Sequence, residues 1–133
     1  MIPRITLLVA SLHVALFMWL SLQVVLRRRA SRVGIGTGGD AGLARAVRVH
    51  GNFAEYVPLA LLMLGLLELS GERAPLLWTF GALLLAARVL HAIGLGRSAG
   101  YSAGRFWGAL LSFATLSAMA ATGIWRTVAA ASI

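Results

Sequence analysis

ITLLVASLHVALFMWLSLQVVLRRR, residues 5–29, decides the fold class. Ile5 to Leu26 carries no formal charge and ends in Arg27-Arg28-Arg29. A helix rises about 1.5 Å per residue, so this run is long enough to cross about 30 Å of hydrocarbon. It is too long for a signal-peptide core and lacks a small-residue cleavage site, so it is expected to stay in place as helix 1. The rest of the chain reads the same way. Of 133 residues, 59% are apolar or aromatic and only 12% are charged, with a mean hydropathy of +0.86. Sixteen formal charges gathered in short stretches cannot cover a water-facing surface, so the solvent for the remaining runs is lipid.

Four spans fit, at about residues 5–26, 44–69, 76–95 and 105–125. The expected fold is an all-α integral membrane four-helix bundle, with residues 1–133 as one transmembrane domain and no room for a soluble one. Ser31 to Arg45 is polar and glycine-rich and reads as a loop, Ser70 to Pro75 as a tight turn, and Gly96 to Gly104 as a short polar loop. Trp107 and Trp125 fall near the two ends of helix 4, where indole rings favour the membrane boundary.

The net charge of +8 comes from twelve arginines and no lysine, against Asp40, Glu55, Glu68 and Glu72. The arginines flank spans instead of lining one polar face, which argues against nucleic acid as a partner. Arg27, Arg28, Arg29, Arg32, Arg45, Arg48, Arg97 and Arg105 lie toward the first and third loops, while Arg4, Arg73 and Arg126 lie toward the other side. The excess of positive charge marks the cytoplasmic face, so both termini are expected on the non-cytoplasmic side. The absence of cysteine removes disulfides, thiolate-held metals and a protein thiol nucleophile.

Ionisable groups inside a span cost about 2.5 kcal/mol or more each on insertion scales, so each calls for a partner or a task. In Arg48-Val49-His50-Gly51-Asn52-Phe53-Ala54-Glu55-Tyr56, the residues Arg48, Asn52, Glu55 and Tyr56 recur at i, i+4, i+7 and i+8, one face of a helix, with His50 to the side. Either these groups form a structural ion-pair network between helices, or they hold a ligand. A cation, an anion and an amide together suit a zwitterionic, peptide-like molecule. Arg88 and His91, spaced i, i+3 on helix 3, repeat the pattern. Arg88 pairs with Glu55 or Glu68, or it lines the same pocket; His91 acts as an interhelical hydrogen bonder or joins it. His13 receives no role. Gly34-Ile35-Gly36-Thr37-Gly38-Gly39 fits G-x-G-x-x-G but follows a spanning helix instead of a strand, so it reads as a loop. No metalloprotease, hydrolase or metal-ligand motif occurs, and no metal is expected.

The assembled residues resemble the MAPEG family, membrane-associated proteins in eicosanoid and glutathione metabolism. Arg48-x-His50-x-Asn52-x-x-Glu55-Tyr56-x-Pro58 is similar to the family signature at the start of its second helix. Ser21-Leu22-Gln23-Val24 with Arg28-Arg29-Ala30 resembles the end of helix 1 in the leukotriene synthase. Ala87-Arg88-x-x-His91 resembles helix 3 of the prostaglandin synthase and microsomal transferase branches, and Arg105 stands where those branches place the arginine that acts on the glutathione thiol.

The resemblance implies a homotrimer with glutathione between adjacent subunits near the cytoplasmic side. Arg48, Asn52, Glu55 and Tyr56 then hold glutathione with support from His50, Arg28 or Arg29 reaches a carboxylate, Arg88 and His91 line the pocket, and Arg105 is catalytic. The implied function is a membrane glutathione transferase with peroxidase-like activity, used in detoxification of lipophilic small molecules. Leu95 and Phe106 replace hydroxyl-bearing family residues, which weighs against the eicosanoid activities. The arginine- and alanine-rich composition resembles small bacterial members, placing the chain in a bacterial inner membrane. The competing classes are a catalytically silent binding or scaffold protein of the same fold and a small multidrug transporter. The transporter reading is weakened because helix 1 carries no acid.

Overall fold

The computed structural model describes residues 2–97 and 102–130. It is all-α, with α1 (Arg4–Ser31), α2 (Ala41–Leu69), α3 (Ala74–Arg97) and α4 (Ala103–Ala130). All four are long and apolar enough to cross a membrane. They overrun the expected bounds, α1 and α4 by the most, and in α1 the three arginines continue the helix beyond the apolar run. Arginine is a good helix former, and a cation in the last turn is favoured by the helix dipole. Arg32 ends α1 in the left-handed region, at φ 53°.

The loop between α1 and α2 therefore shrinks to residues 32–40. Asp40 begins α2 as its N-cap, its Oδ1 accepting from the amides of Gly42 at 2.7 Å and Leu43 at 3.0 Å. The Ser31 hydroxyl donates to the other carboxylate oxygen, tying the end of α1 to the start of α2. These bonds, the one from Ser31 foremost, hold the Asp40 carboxyl below its ordinary range.

The first turn of α1 has no cap of its own, since Pro3 precedes it and supplies no side-chain acceptor. Glu68, near the end of α2, fills the gap: Oε1 accepts from the Ile5 amide at 2.9 Å and Oε2 from the Thr6 amide at 2.7 Å. At the same end, Arg126 of α4 reaches Glu72 at 3.1 Å and the Ser70 carbonyl at 2.6 Å. The start of α1 and the end of α4 thus both meet the α2–α3 turn, which makes the bundle run up, down, up, down.

The buried apolar residues form two clusters. Val9, Leu64, Leu67, Leu77, Phe80 and Met119 pack near the terminal end, and Leu20, Val49, Phe53, Val57, Ala92 and Leu95 near the opposite end. Outside, Leu7, Met18, Trp19, Leu62, Trp107, Ile124 and Trp125 are exposed. An exterior of this kind suits lipid, where exposed apolar side chains cost nothing.

Candidate functional site

The polar groups of α2 lie in its first half, at the end of the bundle that carries the 32–40 loop. At about 100° per residue, Glu55, Arg48, Asn52 and Tyr56 sweep an arc of about 100° in that order. The bundle splits this arc. Arg48 and Glu55, at its outer edge, form an ion pair at 3.0 Å with side chains 62% and 50% exposed. Asn52 and Tyr56, at its inner edge, face Arg88 of α3. His50 points toward α1, where its Nε2 lies 3.0 Å from the Ser21 hydroxyl and its ring stacks on Phe17 at 4.7 Å.

Arg88 is only 3% exposed and pairs with neither Glu55 nor Glu68, contrary to that expectation. Nη1 donates to Asn52 Oδ1 at 3.1 Å, Nη2 donates to the Ser112 hydroxyl of α4, and the guanidinium lies 5.7 Å from the centre of the Tyr56 ring. Glu68 is committed to α1, and Glu55 has Arg48 as a partner on the same helix. Neutral oxygens and an aromatic face take the place of a carboxylate, so the charge is solvated by dipoles and a ring quadrupole. Ser112 donates onward to the Gly108 carbonyl at 2.7 Å. One guanidinium in this way connects α2, α3 and α4.

Sequence reasoning missed Ser112, and it missed what brings α4 so close. Gly104 and Gly108 stand four residues apart on α4, the small-residue spacing of close helix packing in membranes, and this was the available signal. A Cβ on Gly108 would lie 2.5 Å from the His91 amide nitrogen and 2.8 Å from the Ala87 carbonyl. Only glycine allows that contact. His91 is consequently buried against α4 at 7% exposure, and its ring has no hydrogen-bond partner among the described residues. The charges of Arg88, Arg105 and Arg48 all act on it.

Arg105 is exposed in the first turn of α4, where its backbone amide donates to the Ser102 hydroxyl at 3.3 Å. With Ser102, Phe106 and Ala109 it borders a shallow pocket of about 250 Å³. Of the two arginines expected to reach a carboxylate, Arg28 is turned into the loop, its Nη1 donating to the carbonyls of Gly34 at 3.2 Å and Gly36 at 2.9 Å, while Arg29 is exposed. Leu95 is 6% exposed inside the core cluster. His13 is buried, its Nδ1 2.7 Å from the Val9 carbonyl and its ring tilted against Phe53. The side chain of Arg97 and residues 98–101 of the third loop lie outside the described residues.

The arrangement offers an exposed cation–anion pair, an amide with free N–H donors, a tyrosine and a nearby group of guanidiniums. It can bind a zwitterion with surplus negative charge. The MAPEG family model matches residues 6–125. Over 87 residues the chain is 38% identical to "Inner membrane protein YecN" of Escherichia coli strain K12, covering 65% of this chain and 66% of the relative. The same protein of Escherichia coli O6:H1 matches with the same identity and coverage. The chain thus spans just under two thirds of the length of the curated relatives it matches.

Proposed function

The chain belongs to the MAPEG family, and from that membership we propose that it is a membrane glutathione transferase with peroxidase-like activity, acting on lipophilic electrophiles that enter from the bilayer. The observation that carries this reading is the exposed Arg48–Glu55 pair beside Asn52, Tyr56 and Arg88. An exposed ion pair contributes about 0–1 kcal/mol, so separating it costs little, while each charge-assisted contact to a ligand returns about 1.5–3 kcal/mol. Arg48 then takes a glutathione carboxylate, Glu55 takes its ammonium group, and the Asn52 amide donates to a peptide carbonyl. Arg29, exposed at the end of α1, is free to meet a second carboxylate. His50 steadies α2 against α1. Arg88 and His91 form the inner wall.

Glutathione supplies the nucleophilic sulfur, whose thiol pKa of about 8.5 leaves a minor thiolate fraction at neutral pH. A guanidinium beside the sulfur raises that fraction, and Arg105 is the exposed arginine assigned to it. The Arg48–Glu55 wall is open on one protomer, which fits a homotrimer in which a neighbouring subunit covers it and brings its own Arg105. The excess of arginine at the loop end orients that end toward the cytoplasm and both termini away from it. The relatives' name, inner membrane protein, supports a bacterial inner membrane as the location of this chain.

Calorimetric titration of the detergent-solubilised protein with glutathione tests the reading. Arg48→Ala and Glu55→Gln each weaken binding by about tenfold or more. Arg105→Leu preserves binding but lowers the ultraviolet thiolate signal and conjugation to a generic aromatic electrophile. Normal binding by both α2 variants overturns the site, and an unchanged thiolate pKa in Arg105→Leu makes that residue a membrane anchor. The alternative, a catalytically silent binding or scaffold protein of this fold, is favoured by one observation: Arg88 is already engaged by Asn52 and Ser112 without a ligand. Glutathione binding with no conjugation at any thiolate fraction supports that alternative.

A further inference from the structure

Between α1, α2 and α3, at the loop end of the bundle, lies a cavity of about 270 Å³. The proposed glutathione wall does not use it. Its polar lining is Gln23, Arg27 and Arg45, and its apolar lining includes Trp19, Val49 and Ile93. No acid lines it. The Asp40 carboxylate feels the charge of Arg27 but makes no ion pair with it, its oxygens being held by the Ser31 hydroxyl and the amides of Gly42 and Leu43. Neither Arg27 nor Arg45 forms an ion pair or hydrogen bond with a described residue, and Arg45 Nε is shut off from solvent without a partner. Two guanidiniums and an amide around a cavity lined by no acid favour an occupant that brings an acceptor and a negative charge.

The apolar side of the cavity narrows the choice. Trp19 and Ile93 are 53% and 46% exposed, so the cavity opens sideways through the apolar flank of the protomer. Its volume lies just below that of sites for drug-sized molecules, which admits an acidic head and the first part of a chain but not a whole lipid. The rest of such a molecule must lie in the bilayer. Basic pockets between spanning helices near the cytoplasmic leaflet recognise anionic head groups on these grounds.

We propose that this cavity binds one membrane amphiphile, its phosphate or carboxylate head between Arg27 and Arg45 and its tail passing Trp19 and Ile93 into the bilayer. The site is separate from the glutathione reading and does not depend on it.

Native mass spectrometry of the full chain in neutral detergent tests the proposal with phosphatidylglycerol, oleate, phosphatidylcholine and inorganic phosphate as probes. One phosphatidylglycerol or oleate binds per chain, and phosphatidylcholine does not. Preference for phosphatidylglycerol identifies a leaflet lipid, and preference for oleate identifies a free fatty acid; either supports the site. Arg27→Gln and Arg45→Gln each weaken binding by about fivefold, as loss of one arginine near an anionic head group predicts. Ala46→Leu, which fills the cavity without changing charge, blocks binding, while Arg32→Gln, on the exposed loop beside it, changes affinity less than twofold. Thermal unfolding without added lipid identifies any variant that fails to fold, and the remaining variants then decide. The proposal is overturned if neither amphiphile binds stoichiometrically, if Arg32→Gln weakens binding as much as Arg45→Gln, if folded Ala46→Leu binds normally, or if equimolar inorganic phosphate displaces the amphiphile.

Discussion

Arg88 and Ser112 offer the sharpest test of what holds the polar half of the bundle together. Arg88→Met alone is ambiguous in sign, because it removes interhelical bonds and also removes a charge held out of water, whose desolvation opposes folding. A double-mutant cycle of Arg88→Met with Ser112→Ala cancels the second effect and isolates the contact. Hydrogen bonds between helices in membranes average about 0.6 kcal/mol and reach about 1.7 kcal/mol. This one is charge-assisted, and its partners are 3% and 1% exposed, so the upper part of that range applies. The expected coupling is about 1–1.7 kcal/mol, read from reversible unfolding in mixed micelles without glutathione. Thr115→Ala serves as the control. Thr115 is also buried on α4, but its hydroxyl donates to the Leu111 carbonyl of its own helix, so it should not couple to Arg88. A coupling below about 0.5 kcal/mol, or an equal one with Thr115, refutes the claim that Arg88 ties α3 to α4 through Ser112.

Gly108→Val forces a side chain into the His91 backbone and is expected to destabilise the bundle by about 1–3 kcal/mol or more, with His91 exposed to deuterium exchange at its amide; unchanged unfolding would show that α3 and α4 have room to spare. Glu68→Ala removes the acceptors of Ile5 and Thr6, which should raise amide exchange in the first turn of α1 and cost about 0.5–2 kcal/mol, while the rest of the helix stays protected. Protection that persists at residues 5 and 6 would disprove the cap. The Glu72 carboxyl is held below its ordinary value of 4.5, first by the Arg73 amide and further by Arg126. Its folded pKa is depressed, so its stabilisation is present above pH 4.5 and is lost as pH falls through the folded value. Unfolding followed from pH 6 downward should show that loss in the parent and a weaker one in Glu72→Gln, and identical profiles would remove Glu72 from the account.

The number of helices, their all-α class and the polar positions of α2 and α3 were legible because they depend on local chemistry. A run such as Ile5–Leu26 has a fixed rise per residue and no charge, so its fate in lipid follows from the chain alone. Even the start of α2 was available in Asp40, an N-cap residue beside a periodic segment, although the glycines before it suggested a longer loop. The partners of Arg88 were not legible. Which side chains meet depends on how each helix is rotated about its own axis, and that rotation is settled by the packing of all four, with Gly108 letting α4 approach His91 and Glu68 drawn away to cap α1. The same rotation divided one sequence-defined face of α2 into an exposed Arg48–Glu55 edge and a half-buried Asn52–Tyr56 edge that meets Arg88. It also gathered Arg27 and Arg45, 18 positions apart and read from the sequence only as orientation charges, around one cavity. Sequence determines what each helix carries, because hydrophobicity and spacing act within a few turns; tertiary structure alone decides which groups face each other, because that is a joint property of all the helices packed at once.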